Sequence, residues 1–281
     1  MTLTVTRDYG AEVMVEATVS DPSESDTVLR ALDRVAEITT RYGGGFVQSI
    51  EGVEGTVRDG RTLDWFFYVD GIESPVGSAE REVRAGHRIW WDHRDWTDAM
   101  RVPAVVGSWP EPFAQAAAEE RLPVRIGCWI ARRVCEAVGG RLTAAGAPPA
   151  RIVRESGAGT DAIRILVGPW ARVRDDPVAA RVDRGPAHSG VFARFTGRRG
   201  GYELLVLDET AAPAAELGPG GGLVAALREG DDPPTWVVTG TDRAGVRAAV
   251  ELLDAERLED RYAVATEGAG GLRLPVVGEA E

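Results

Sequence analysis

The chain has 281 residues, of which 44% are hydrophobic and 27% are charged, as in an ordinary soluble globular protein. At this length two domains of roughly 100 to 170 residues each are expected, and the sequence has no run of about 18 apolar residues that would span a bilayer. The formal net charge of −12 argues against nucleic-acid binding, because an acidic chain offers no basic surface to phosphate groups.

The first hundred residues are predicted to form a small sheet with one helix. Residues 3–7 and 13–19 alternate apolar and polar side chains with the period of a half-buried strand, and together they indicate a hairpin. Residues 28–38 place apolar side chains at helical spacing, and the glycines at 43–45 are expected to end that helix. Three further strands are predicted over residues 46–50, 65–69 and 88–93. The resulting order, ββαβββ, is that of a β-grasp module.

A change of pattern divides the chain in two. Residues 101–121 mix proline with alanine and are predicted to form a linker that includes one strand. Residues 1–100 then make an N-terminal domain and residues 122–281 a compact α/β domain, because strands and helices alternate after residue 122. The predicted strands of this second domain are 124–127, 163–167, 191–195, 202–207, 235–239 and 262–266, and its predicted helices are 130–145, 171–182 and 242–256. The predicted fold class is α+β, with a β-grasp-like domain followed by an α/β domain.

The two cysteines, Cys128 and Cys135, leave two readings open. A zinc site is disfavoured, because zinc usually takes four soft ligands and no histidine lies near either cysteine. If a strand that ends at Cys128 turns into a helix packed back on it, the two sulfurs can form a disulfide. Two reduced thiols in the core are the other reading. The disulfide is expected if the protein is exported.

Most of the aromatic residues lie between Tyr42 and Phe113. Alternate side chains of a strand share a face, so the predicted strands 65–69 and 88–93 carry aromatic residues on both faces. In the first strand Trp65, Phe67 and Val69 share one face and Phe66 and Tyr68 share the other. In the second strand Ile89, Trp91 and His93 share one face and Trp90 lies on the other. One helix covers only one face of a small sheet, so the second face needs another cover. That cover is either the second domain or a flat, partly apolar ligand.

Three segments of this region occur in a recognisable order. They are DTVLRALDRVAE, GGGFVQSIEGVEG and DWFFYVDGIESPVGSAEREVRAGHRIWWDHRDW. With them the N-terminal third of the chain resembles a bacterial domain-of-unknown-function family related to the C-terminal β-domain of transcobalamin and intrinsic factor. The resemblance implies a β-grasp-like fold, export to the cell surface and, as in the vertebrate relatives, a role in closing over cobalamin.

The resemblance also implies a set of ligand-binding residues. The two aromatic signature strands and the strand with the pattern G-x-V-x-S-I, which carries Gln48 and Ser49, are expected to supply them. The expected ligand-binding residues are Gln48, Trp65, Phe67, Tyr68, Trp90, Trp91 and His93. The sequence has no counterpart of the helical barrel that forms the other half of the vertebrate site. Residues 113–281, with loops such as 185–190 and 218–222, are the candidate for that half.

No catalytic or metal-binding motif is found. Ser189 follows His188 directly, and adjacent residues cannot place a hydroxyl and an imidazole in productive geometry. The glycines at 218–222 are read as a loop, since the chain has no lysine to complete a phosphate-binding motif. The pairs Asp175–Asp176 and Asp231–Asp232, each followed by proline, are read as charges at the edges of helices or turns. His93 is read as a packed residue rather than a ligand of cobalt or iron.

The sequence therefore predicts a two-domain, exported binding protein that is not an enzyme and has no cofactor or metal of its own. The expected ligand is a corrinoid such as cobalamin, captured for uptake, with a membrane vitamin transporter as a partner and no nucleic-acid partner. The expected location is extracellular or at the cell surface, with a signal or anchor removed, although the start MTLTVTRDYG resembles no signal peptide and leaves a cytoplasmic location open. The alternative is a structural or adhesive cell-surface protein whose aromatic face docks the two domains.

Overall fold

The computed structural model describes residues 1–20, 22–23, 25–42, 45–154, 161–268 and 270–278. Over these residues the chain has an α+β fold with four sheets. The N-terminal part contains β1 (Thr2–Arg7), β2 (Glu12–Thr18), α1 (Val28–Asp33), β3 (Ile38–Arg41), β4 (Phe46–Ile50), β5 (Val53–Glu54), β6 (Thr56–Arg58), β7 (Arg61–Val69), β8 (Ile72–Glu73) and β9 (Arg88–Asp95). The C-terminal part contains β10 (Val124–Cys128), α2 (Arg132–Ala144), β11 (Arg151–Val153), β12 (Ile163–Pro169), α3 (Trp170–Val173), a 3-10 helix (Ala179–Arg184), α4 (Pro186–Ser189), β13 (Ala193–Arg198), β14 (Gly201–Leu207), β15 (Pro213–Leu217), β16 (Gly221–Leu227), β17 (Thr235–Gly240), α5 (Arg243–Glu251), α6 (Ala255–Leu258), β18 (Ala263–Glu267) and β19 (Leu272–Leu274).

The main N-terminal sheet is mixed. Its strand order is β2-β1-β9-β7-β6, and β8 pairs with β7. The β1 and β9 strands are parallel, whereas the β1–β2 and β7–β9 pairs are antiparallel. A second, small sheet of β3, β4 and β5 packs with α1 over one face of the main sheet. The predicted β1–β2 hairpin is therefore present, and the strands predicted to be aromatic lie at the centre of the sheet.

The predicted helix over residues 28–38 is shorter than expected. It begins after Thr27, whose hydroxyl accepts the Arg30 N–H, and it ends at Asp33. Ile38 belongs instead to β3, which pairs with β4. The reason is local, because the β-branched run from Ile38 to Thr40 favours a strand over a further helical turn. Of the glycines expected to end the helix, Gly43 and Gly44 lie outside the described residues.

The C-terminal domain is built on a seven-stranded sheet in the order β11-β10-β12-β17-β16-β18-β19. The first four strands are parallel and the rest are antiparallel. The helices α2 and α5 cover one face with their buried apolar residues. The opposite face is covered by α3, the 3-10 helix, the three-stranded sheet β13–β15 and the N-terminal domain. The core on that side is therefore shared by both domains.

Two predicted helices of this domain are interrupted. The helix predicted over 171–182 is divided into α3 and the 3-10 helix, because Pro177 disfavours helical geometry at the preceding residue. The Asp176 carboxylate accepts the N–H groups of Val178 and Ala179, so it acts as the expected turn charge. The helix predicted over 242–256 ends at Glu251, and Asp254 caps α6 by accepting the Arg257 N–H.

The glycines at 218–222 are only partly a loop. Gly221 and Gly222 begin β16, a buried central strand that the glycine-rich pattern concealed. A Cβ at Gly222 would lie 2.4 Å from the Gly245 carbonyl oxygen, and one at Gly245 would meet the Gly221 carbonyl oxygen. These glycines are therefore needed because α5 packs directly against the sheet backbone.

Residues 102–115 of the connecting segment 101–121 are mostly buried, whereas residues 118–121 are exposed. The segment contains no strand, contrary to expectation, and consists mostly of turns. Val102 and Val105 join the core shared by both domains, whereas Trp109 and Phe113 pack on Trp236 in the core under α2 and α5. The prolines at 103, 110 and 112 explain the missing strand, because proline cannot donate a hydrogen bond to a neighbouring strand.

A disulfide joins Cys128 at the end of β10 to Cys135 in α2, with 6.1 Å between the Cα atoms. Cys135 is fully buried in the core under α2. The disulfide therefore joins the first turns of α2 to the C-terminal end of β10.

We expect Cys128→Ser to lower the free energy of unfolding by about 2 to 3 kcal/mol, because opening this short loop restores conformational entropy to the unfolded chain. Urea unfolding of the variant and the wild type measures the difference. Wild-type protein treated with a reductant is the control and should match the variant. A reduced wild type that is as stable as the oxidised protein would contradict this expectation.

Candidate functional site

The two aromatic strands are neighbours. In the antiparallel β7–β9 pair, Phe67 lies opposite Trp91 and Tyr68 opposite Trp90, with ring centroids 4.8 Å and 5.5 Å apart. The alternation predicted from the sequence holds, so the pair carries aromatic side chains on both faces. The predicted ligand-binding residues of these strands therefore lie in one strand pair and are divided between its two faces.

The first aromatic face is covered by α1 and the small sheet. Trp65, Phe67 and Trp91 pack there with apolar residues of β1, α1 and β4. The His93 imidazole is also buried, and its Nε2 lies 3.1 Å from the Glu54 carbonyl oxygen. Burial lowers the pKa of His93. The arrangement matches the reading of His93 as a packed, hydrogen-bonded residue.

Gln48 lies apart from the aromatic faces. It is half-buried on β4, and its side-chain oxygen accepts a hydrogen bond from Arg41 Nε at 2.7 Å. It lines a shallow surface cavity with Phe46 and Val57. The neighbouring Ser49 bonds Thr39 within the small sheet. The structure therefore does not bring Gln48 together with Tyr68 and Trp90.

The second aromatic face is covered by the C-terminal domain. Tyr68 is 0% exposed and Trp90 is 3% exposed. The Tyr262 ring lies edge-on to both, with centroid distances of 5.7 Å to Tyr68 and 5.2 Å to Trp90, and it also contacts Tyr9. Of the two covers that the sequence left open, the second domain occupies this face. The two rings consequently present no free surface to a ligand in this structure.

A buried carboxylate lies at the centre of this interface. Asp92 Oδ1 accepts hydrogen bonds from the Thr6 hydroxyl at 2.6 Å and the Gly10 N–H at 2.9 Å, and Oδ2 accepts one from the Tyr262 hydroxyl at 2.9 Å. The Thr6 oxygen in turn accepts the Trp90 indole N–H. Burial raises the pKa of Asp92 to about 6. The network joins β1 and β9 to Tyr262, the residue that precedes β18. It therefore holds the two domains in one relative position.

A groove opens at the edge of the same interface, and we call it the interdomain groove. Its first cavity, of about 380 Å³, is lined by residues 69–75, by 111–118 of the connecting segment and by 228–234 between β16 and β17. A second cavity of about 470 Å³ adjoins it, and the two share His87 and Glu111. Both domains and the connecting segment therefore contribute walls.

Three polar residues converge in the interdomain groove. Asp70 Oδ1 accepts the Arg88 N–H at 2.9 Å, and Asp70 Oδ2 lies 3.7 Å from His87 Nε2. His87 Nδ1 accepts the Arg84 N–H at 3.0 Å, so the neutral imidazole carries its proton on Nε2. The Glu111 carboxylate accepts the N–H groups of residues 115 and 116.

Burial shifts the pKa values of two of these groups. It raises the pKa of Asp70 to about 7, and the charge of Glu111 adds to the shift while Arg81 and Arg88 oppose it. Burial also lowers the pKa of His87 to about 4, assisted by the charges of Arg81 and Arg84. At neutral pH the imidazole is therefore uncharged.

Sequence reasoning missed Asp70, His87 and Glu111 as site residues. Strand pairing is the feature of the sequence that could have indicated Asp70 and His87, because Asp70 follows the end of β7 and His87 precedes β9. An antiparallel β7–β9 pair must bring them to the same end of the sheet. Asp231 and Asp232, read as turn charges, lie at the groove rim.

We expect Trp90→Ala to lower the free energy of unfolding by about 3 to 5 kcal/mol, because it leaves a large cavity in the core shared by both domains. Phe46→Ala, at an exposed aromatic residue of β4, is the control and should change stability by less than about 1 kcal/mol. Chemical unfolding followed by circular dichroism compares the two. Equal effects of both substitutions would contradict a shared core.

We expect Asp92→Asn to gain stability relative to the wild type as the pH rises from about 4 to about 7. A raised folded-state pKa means that the folded chain binds more protons than the unfolded chain. The contribution of Asp92 is therefore fully favourable below its unfolded pKa and is lost as the pH rises through its folded pKa. The substituted amide stays neutral and keeps an oxygen for Thr6. Unfolding curves across this pH range test the point, and a difference that does not vary with pH would refute it.

Comparison with protein families identifies one region of the chain. Residues 25–94 match a domain of unknown function, DUF4430. Among curated proteins none matches the chain. Within the described residues, no helix is long and apolar enough to cross a membrane, and no cluster of three or more His, Cys, Asp or Glu side chains is arranged to hold a metal ion. The N-terminal part of the chain therefore carries a domain-of-unknown-function module.

Proposed function

We propose that the chain is a non-catalytic ligand-binding protein whose site is the interdomain groove. The observation that carries the proposal is the convergence of Asp70, His87 and Glu111 in a cavity walled by both domains. A cavity of about 380 Å³ lies within the range of roughly 300 to 1,000 Å³ that is typical of small-molecule sites. Apolar walls with a few convergent polar groups are the usual composition of such sites.

The hydrogen bonds of His87 favour binding over catalysis. A histidine that acts as a general base needs a free nitrogen lone pair within reach of the proton that it removes. The Nδ1 lone pair of His87 is occupied by the Arg84 N–H, and Nε2 carries the proton. Each oxygen of the Glu111 carboxylate accepts one backbone N–H, and Asp70 Oδ2 lies beside the protonated Nε2 of His87. We therefore propose that these residues bind and orient a ligand.

A corrinoid captured for uptake is the ligand that the resemblance to the transcobalamin β-domain suggests. The match of residues 25–94 supports a domain-of-unknown-function family. The mixed sheet with α1 packed on it, which we interpret as a β-grasp, is the structural support for the relationship. Because Tyr68 and Trp90 are buried, a corrinoid would bind at the groove by one edge rather than on the aromatic face. The disulfide supports an oxidising, extracytoplasmic location.

A structural or adhesive role is the second candidate. It is favoured by the use of the second aromatic face for docking, since Tyr262 occupies the position that a flat ligand would take. In that case the interdomain groove would bind no small molecule. Ligand binding therefore separates the two candidates.

We expect Ala118→Trp to weaken ligand binding at least tenfold, because the new side chain fills the first cavity of the interdomain groove. Calorimetric titration with cobalamin, cobinamide, haem and a set of small polar molecules measures binding. Ala214→Trp, at an exposed position on β15 outside the groove, is the matched control and should bind like the wild type. Loss of binding in both variants would show that the ligand binds outside the interdomain groove. No binding by the wild type would favour the structural role.

A further inference from the structure

We infer that the interdomain groove recognises a primary carboxamide group through Asp70 and His87. This inference rests on the proposed function and names the chemical class of the ligand. It follows from the hydrogen-bonding capacity that the two side chains retain after their contacts within the protein are counted.

Each of the two side chains has one polar atom committed and one available. Asp70 Oδ1 accepts the Arg88 N–H, and within the described residues Oδ2 has no hydrogen-bond donor. His87 Nδ1 accepts the Arg84 N–H, which leaves the Nε2–H as a donor. The two available atoms are 3.7 Å apart, too far to bond each other well. The groove therefore presents one acceptor and one donor side by side.

A primary carboxamide matches this pair better than the other common polar groups do. It carries an acceptor oxygen and a donor nitrogen on one planar edge, so it can donate to Asp70 Oδ2 and accept from His87 Nε2 together. A carboxylate has only acceptors and would be repelled by Asp70. An ammonium has only donors and would leave the His87 N–H without a partner, which is unfavourable in a buried site. A hydroxyl can reach both groups only through a single atom.

The charged neighbours leave this assignment unchanged at mildly alkaline pH. Asp70 is faced by Arg81, Arg88 and Glu111, and His87 by Arg81, Arg84 and the amino terminus. With the pKa of Asp70 at about 7 and that of His87 at about 4, Asp70 is mainly ionised and His87 is neutral at about pH 8. The acceptor and the donor are then both in the required state.

The rest of the groove indicates the body of the ligand. Its walls beside Asp70 are largely apolar and include Val69, Ile72, Pro112, Leu122, Ile163 and Pro233. These residues suit an aromatic or aliphatic group attached to the carboxamide. The groove therefore takes an apolar group, or the apolar edge of a larger ligand, that carries a primary carboxamide.

Benzamide and its analogues test the inference at about pH 8 by NMR titration of the full chain. We expect benzamide to bind at least about tenfold more tightly than N,N-dimethylbenzamide, benzoate, benzylamine or benzyl alcohol, since two hydrogen bonds of ordinary strength are at stake. Equal or tighter binding of an analogue in the groove would overturn the carboxamide inference and leave the binding function intact. No binding by any probe to groove residues would count against both.

Asp70→Asn gives a sharper test. Asp70 has a left-handed backbone (φ 55°), which asparagine tolerates better than most residues. The Arg88 N–H donates to Oδ1 of Asp70, so the asparagine must place its amide oxygen at that position. Its NH2 group then points toward the groove. The groove then presents two donors, and we expect the preference to change from benzamide to benzoate. His188→Gln, at an exposed histidine of α4, is the control and should keep the wild-type preference. An unchanged preference in Asp70→Asn would overturn the inference, and if this variant does not fold, the wild-type probe series decides alone.

Discussion

The burial of one aromatic face of the β7–β9 pair against Tyr262 is the interaction on which the rest of the structure depends. Tyr68 and Trp90 are among the largest side chains of the N-terminal sheet, and their burial removes apolar surface that a small isolated sheet would leave in water. The same contact joins the N-terminal sheet and the seven-stranded sheet into one core.

Polar groups inside this interface give it a single geometry. Apolar rings alone would allow the domains to slide, but Asp92 needs Thr6, Gly10 and Tyr262 in place together. A buried carboxylate without those donors would be strongly unfavourable. Arg273 of β19 adds a second polar contact across the interface, because its guanidinium donates to the Gly10 carbonyl at 2.8 Å. The interface therefore combines apolar stabilisation with polar specificity.

Strand alternation made the aromatic strands and their two faces predictable from the sequence, whereas the cover of the second face was not. Alternation shows that a face is apolar but does not identify what packs on it, and Tyr262 lies far along the chain. The β16 strand was hidden because Gly222, near its start, is required by the close approach of α5, and such a tertiary requirement leaves no periodic pattern in the sequence. The groove was hidden for a related reason, since its walls come from turns and from the connecting segment, which have no periodicity.

The register of one strand pair controls both the interface and the groove. Because Val69 pairs with Ile89, Asp70 and His87 are carried to the end of the sheet beside the connecting segment. The same register puts Tyr68 opposite Trp90 and so aligns both rings with Tyr262. A slip by one residue would move the side chains of one strand to the other face, so that Tyr68 and Trp90 would no longer pack together against Tyr262. A ligand that contacts Asp70, His87 and residues 228–234 together would therefore stabilise the docked arrangement of the two domains. At ligand concentrations above the dissociation constant, this stabilisation would grow with the logarithm of the ligand concentration.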